Sequence, residues 1–285
     1  MGESMKIVKV ERDGRTAEGF LEGEEVRIVG GWSDGPADRA PFALSQRLAD
    51  RLEGLRDTAS EVVPLAEVTL APPADPSARI ICIGMNYRDH VGEIKLDVSE
   101  HPVIFTRSLD TLVGHGGEVV RARVSETFDF EGEIAVVIGR GGRHIAAEDA
   151  LDHVGGYTCF MDGSIRAYQK HSVTAGKNFW RSGAMGPWIV PAGAFAPQDP
   201  ALATRLNGEV VQQSRASLMI FDIRHCIAYV SQIMPLRPGD VIATGTPGGV
   251  GSRRTPPLWM KPGDTIEVEV EGIGTLANRV IDEAA

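Results

Sequence analysis

Short apolar runs broken by glycine and proline dominate the chain from Arg79 onward. Ile80–Ile83, Val103–Thr106, Ile134–Ile138, Val241–Thr244 and Ile266–Val270 are rich in β-branched residues and bounded by turn formers, the pattern of strands. Helical spacing is sparse: Ile145–His153, a turn or two after Asp162, and about Arg224–Met234. Strands without regularly alternating helices predict a mixed, mostly β fold rather than a doubly wound sheet. Ahead of this region, Met5–Val10 and Ala17–Val29 carry strand signals around an Asp13–Gly14 turn, while Leu44, Leu48, Leu52 and Leu55 fall at helical spacing. The run Ala71-Pro72-Pro73-Ala74-Asp75-Pro76 can continue neither a helix nor a sheet ladder. The expected organisation is a small N-terminal α+β module over residues 1–72 and a larger domain over 77–285.

The formal charge of −10 argues against nucleic acid, which needs a basic face. An anionic substrate would then need a metal or placed Arg and Lys side chains. No apolar run is long enough for a membrane span, and Met1 to Val10 lacks a signal-peptide core. Cys82, Cys159 and Cys226 are distant, odd in number and set among apolar neighbours, which suits buried thiols in a reducing compartment. A cytoplasmic location is expected.

The main chemical signal is Phe130-Glu131-Gly132-Glu133-Ile134-Ala135-Val136-Val137-Ile138. Read as a strand, it puts Glu131 and Glu133 on one face. Two carboxylates in apolar surroundings repel each other and lack water, so a cation belongs between them. Asp162 ends another apolar run, Tyr157–Met161. Three convergent carboxylates suit a hard divalent ion such as Mg²⁺ or Mn²⁺. Taken singly, paired acids on a strand are more often a solvated edge, and Asp162 could equally cap the helix that follows it.

Four further clusters carry chemistry. In Gly84–Ile94, a helical turn would set His90 beside Glu93 at i, i+3, where the carboxylate could orient the imidazole as a base. Arg166 and Gln169 follow Asp162 on one helical face, and Lys177 sits among glycine and aromatic residues. Gly239–Gly251 runs from a strand into a glycine-rich loop whose amides and Thr246 hydroxyl could hold a carboxylate. Each could also be an ordinary surface feature. Nucleophile-elbow, zincin and Walker motifs are absent.

Together these stretches resemble the fumarylacetoacetate hydrolase family. The resemblance rests on Gly-Met-Asn-Tyr-Arg-Asp-His (84–90), Glu-Gly-Glu (131–133), Asp162 with Ser164, Arg166 and Gln169, Gly-Lys-Asn-Phe (176–179), Leu-Asn-Gly-Glu (206–209), residues 239–251, Lys-Pro-Gly-Asp (261–264) and Glu-Gly-Ile-Gly-Thr-Leu (271–276). They appear in family order over roughly residues 79–281. The resemblance implies a β-roll catalytic domain, a homodimer and one Mg²⁺ or Mn²⁺ held by Glu131, Glu133 and Asp162. It implies His90 and Glu93 as the acid–base pair, Lys177 as a catalytic cation, and Arg166, Gln169 and Thr246 as substrate contacts.

Three departures bear on this. Ala167 stands where the family has Asp after the arginine, Arg107 replaces a common lysine, and the stretch from Gln169 to Lys177 is shorter than in many members. The expected activity is hydrolysis of a carbon–carbon bond in an acylpyruvate or related β-diketo acid. The alternatives are a 2-oxo acid decarboxylase, an oxaloacetate tautomerase, a hydratase or an isomerase on the same scaffold, since all use one chelated enolate. A metal-organised binding protein without turnover is the non-enzymatic alternative.

Overall fold

A computed structural model describes residues 5–37, 42–46, 53–88 and 99–284. The protein is mostly β. One large sheet runs Glu61–Pro64, Glu25–Asp34, Arg15–Glu22, Lys6–Arg12, Gly183–Pro191, Val154–Met161, Gly132–Ile138, Val241–Ala243, Ile80–Gly84 and Val103–Arg107. A second sheet of five strands runs Glu209–Arg215, Ala201–Leu206, Thr265–Val270, Gly274–Asp282 and Glu118–Arg121. The N-terminal hairpin turns at Asp13 and Gly14, both at positive φ, as a tight hairpin requires. Its strand Lys6–Arg12 pairs antiparallel with Gly183–Pro191.

The strand Gly132–Ile138 is buried on both faces, and its period of two decides which core each residue enters. Ile134, Val136 and Ile138 pack with Leu202, Val268 and Leu276 of the second sheet. Ala135 and Val137 pack with Phe160, Ile189 and Phe20 on the other side. Glu133 shares the parity of Ala135 and Val137, so this acid continues the second face.

Helices are few and short. The longest described is Ile223–Ile233, started by Asp222, whose side chain accepts from the His225 N–H at 2.8 Å. The sequence places this helix within a residue at each end. The helical pattern at 145–153 is instead a 3₁₀ helix over Ala147–His153. The leucine-spaced N-terminal stretch gives two short helices, Ala43–Gln46 and Glu53–Arg56, with residues 47–52 outside the described ones. All three cysteines are free and buried, and burial pushes the Cys159 and Cys226 thiols up to about 12. Among the described residues no helix is long and apolar enough to cross a membrane.

Candidate metal centre and active site

Sheet register brings the three acids together. Strands Gly132–Ile138 and Val154–Met161 pair antiparallel with Gly132 opposite Met161 and Glu133 opposite Phe160. One step further, the Asp162 N–H donates to Glu131 O at 2.8 Å. Glu131 and Asp162 therefore flank each other at the strand ends, with Glu133 one turn of the pleat away. Candidate ligand oxygens of Glu131, Glu133 and Asp162 all lie within 4.8 Å of one another, and all three residues are buried.

Buried carboxylates this close must be compensated. Lys177, at the end of the short helix Val173–Lys177, does part of this. Its Nζ donates to Glu131 Oε2 at 2.5 Å, to Asp162 Oδ2 at 2.6 Å and to Asp162 O at 3.0 Å. Burial acts to lower the Lys177 ammonium, but the Asp162 and Glu131 charges outweigh it and leave the group raised. Arg107 meets the opposite edge, donating to Asp162 Oδ1 at 2.5 Å, Gly163 O at 2.9 Å, Ser182 Oγ at 2.8 Å and Thr111 Oγ1 at 3.2 Å. These dispersed partners suit a guanidinium; a lysine offers one point of donation.

Glu133 is the least compensated of the three. It accepts from the Gly245 N–H at 2.8 Å. Burial, then the Asp162 charge, with Glu131 adding to it against the opposing Lys177, hold its carboxyl well above the usual carboxylate range. Gly245 adopts φ +98°, and a Cβ there would come within 2.7 Å of Asn86 Cβ, so only glycine brings this amide to Glu133. Three buried oxygen donors with an excess of negative charge fit a hard divalent cation.

Arg166 is held despite Ala167. Its Nε donates to Asp129 at 2.7 Å, one terminal nitrogen to Gln169 Oε1 at 2.7 Å and the other to Glu131 Oε1 at 2.5 Å. Although burial opposes it, Glu131 and Asp129 raise the guanidinium above its ordinary value. Asp129 also accepts main-chain N–H groups from Phe130, Gly251 and Ser252 at 2.9, 2.7 and 3.0 Å. Arg166 is thus held by Asp129 and Glu131, from another segment, although Ala167 offers it no carboxylate.

Glu131, Glu133, Arg166, Gln169, Lys177 and Thr246 line one cavity of about 250 Å³. Thr246 is partly committed elsewhere: its hydroxyl donates to Gly132 O at 3.0 Å and accepts from Gln212 Nε2 at 2.9 Å. His90 and Glu93 lie outside the described residues.

Sequence reasoning missed Asp129, Gln212 and the wall residues Ser252 and Arg253. A signal existed for Asp129, since acids at 129, 131 and 133 alternate in one run. Gln212 had none; it reaches in from the other sheet, accepting from the Gly132 N–H at 2.9 Å.

Comparison with known proteins bears on both family and reaction. The family model described as fumarylacetoacetate (FAA) hydrolase C-terminal matches residues 79–281. Oxaloacetate tautomerase YisK of Bacillus subtilis is 45% identical over 224 residues, covering 76% of this chain and 74% of that protein. Human oxaloacetate tautomerase FAHD2A, mitochondrial, is 40% identical over 225 residues, covering 77% and 72%. The solved fumarylacetoacetate hydrolase of the psychrophile Exiguobacterium antarcticum superposes with a TM-score of 0.84 at 34% identity, over 98% of this chain and 100% of that one.

These relatives overturn the expected carbon–carbon hydrolysis, because curated proteins 40–45% identical to this chain bear the name oxaloacetate tautomerase rather than hydrolase. The motifs that prompted hydrolysis encode the buried acidic triad and its surroundings, which do not by themselves tell apart reactions through the same enolate. The family model matched over residues 79–281, with the superposition at a TM-score of 0.84 and 34% identity, places the chain in the fumarylacetoacetate hydrolase family.

Proposed function

We propose that the protein is a divalent-metal-dependent tautomerase that interconverts the keto and enol forms of a small 2-oxo acid, with oxaloacetate the first substrate to test. The observation that carries this reading is the buried Glu131–Glu133–Asp162 triad, of which Glu131 and Glu133 line a cavity of about 250 Å³. That volume lies below the roughly 300–1,000 Å³ of pockets that take drug-sized ligands. The tautomerase names of the relatives at 45% and 40% identity support it.

An ion held by the triad, Mg²⁺ or Mn²⁺ on oxygen-ligand grounds, supplies Lewis-acid polarisation of the 2-oxo group. Arg166 keeps N–H groups beyond its three bonds, and the Gln169 amide nitrogen and Thr246 main-chain N–H complete a set of donors for the adjacent carboxylate. Lys177 offsets negative charge that develops on the C2 oxygen. His90, oriented by Glu93, takes the C3 proton; the C2 oxygen gains a proton and no carbon–carbon bond breaks. A homodimer and a cytoplasmic site of action belong to the same proposal.

The test mixes freshly dissolved enol-form oxaloacetate with Mn²⁺-loaded protein and follows loss of enol absorbance above the spontaneous rate, with NMR of the products. Faster loss with an intact four-carbon skeleton is expected. Release of CO₂ or of two acids at the rate of enol loss would defeat the reading.

A further inference from the structure

Resting on the tautomerase reading above, we propose that Arg253 binds the distal carboxylate of the substrate and so selects dicarboxylic over monocarboxylic 2-oxo acids.

Three cations at the centre are already committed. Lys177 is tied to Glu131 and Asp162, Arg166 to Asp129 and Glu131, and Arg107 to Asp162. Arg253 lines the same cavity. Its guanidinium has no ion-pair or hydrogen-bond partner among the described residues. The neighbouring arginine behaves differently: Arg254 donates to Gly249 O at 3.1 Å and Val211 O at 2.5 Å, bracing the loop. Of the two adjacent arginines, Arg254 braces the loop, while Arg253 is a solvent-exposed part of the cavity's lining.

The backbone that carries Arg253 is fixed with respect to the chemistry. Asp129 accepts from the Gly251 and Ser252 N–H groups on one side and from Arg166 Nε on the other. A single buried carboxylate therefore sets the spacing between Arg166 and the turn Gly251–Arg253. At Gly251 a Cβ would lie 1.8 Å from Leu258 O and 2.6 Å from Asp129 Oδ1, so the turn has one way to sit.

Charge completes the argument. Asp129, Glu131, Glu133 and Asp162 carry one more negative charge than Arg107, Arg166 and Lys177 balance. A divalent ion turns that deficit into one positive charge, and Arg253 makes it two. A dianion neutralises this count, whereas a monoanion leaves the Arg253 charge without a partner on the ligand. The remaining wall near the turn is apolar, with Val250, Met85 and Phe105, so the guanidinium is the group there suited to a carboxylate.

The experiment measures C3 hydrogen–deuterium exchange by NMR for oxaloacetate and for 2-oxobutyrate, using Mn²⁺-free reference spectra and Mn²⁺- or Mg²⁺-loaded full-length protein. The wild type, Arg253→Met and Arg253→Lys are compared. Calorimetry on the same proteins uses 3,3-difluoro-oxaloacetate and 3,3-difluoro-2-oxobutyrate, which have no C3 hydrogen and report binding alone. For Arg253→Met, the preference for the dicarboxylate over the monocarboxylate falls about 10- to 100-fold in both kcat/KM and affinity, the range for losing a charged hydrogen bond. Arg253→Lys restores part of it. Equal losses for both ligands, or no loss, would overturn the assignment. If the wild type exchanges neither substrate yet binds the difluoro dicarboxylate through Arg253, the tautomerase reading falls and this subsite stands.

Discussion

Lys177 is anchored to Asp162 twice, through the carboxylate at 2.6 Å and the main-chain carbonyl at 3.0 Å. A flexible side chain is thereby fixed beside the triad, at the one place where a cation both compensates two ligands and faces the cavity. Removing it leaves more buried negative charge than Arg107 and Arg166 offset. Lys177→Met should cost the metal-free protein about 3–5 kcal/mol, with most of that loss recovered on adding Mn²⁺. Denaturant melts with and without metal give the comparison; an unchanged metal-free midpoint would contradict this account.

The triad and the base should separate cleanly. Glu131→Ala and Asp162→Ala are expected to abolish stoichiometric metal uptake and turnover together. His90→Ala is expected to keep the metal and lose turnover by about 10²–10⁴-fold. Titration calorimetry beside enol-decay assays distinguishes them. A His90→Ala protein working at near wild-type rate would remove the proposed base.

Asp129 joins Arg166 to the Gly251–Arg253 turn through three hydrogen bonds. Asp129→Asn keeps the size but loses the charge and must turn one donor toward other donors. We expect about 2–4 kcal/mol of lost stability and a raised KM, with metal stoichiometry unchanged. Loss of the metal instead would mean that Asp129 serves the triad rather than the turn.

Glu133 sets a pH dependence. Burial and then the Asp162 charge raise its folded carboxyl well above the unfolded value, so the native state holds this proton more tightly. That preference is fully present below the unfolded value and is lost as pH rises through the folded one. In that window the metal-free protein should lose stability with rising pH, apart from other groups. Metal binding, which needs the ionised form, should release a proton and tighten with pH. Calorimetry in two buffers of different ionisation enthalpy reads the proton directly; no release anywhere above the ordinary carboxylate range would refute it.

Much of this site could be read along the chain. Alternating acids before an apolar strand forced Glu131 and Glu133 onto one side, and the turn residues around Ile80–Ile83, Val103–Thr106, Ile134–Ile138, Val241–Thr244 and Ile266–Val270 placed those strand ends to within two residues, whereas Tyr157–Met161 begins three residues earlier, at Val154. These are local properties: backbone pleat and glycine or proline geometry act over a few bonds. What Asp129 does was hidden for the opposite reason, since its partners Arg166 and Ser252 lie 37 and 123 residues away.

By itself, the amino-acid order determined a mostly β protein with acids placed to hold a cation. Only the tertiary structure decided that Asp162 faces Glu131 across a strand register, that Lys177 and Arg107 are buried beside them, and that Arg254 rather than Arg253 braces the loop. The physical reason is that side-chain alternation follows from covalent geometry, whereas charge compensation depends on which distant segments pack against the strand ends. No period in the sequence encodes that choice.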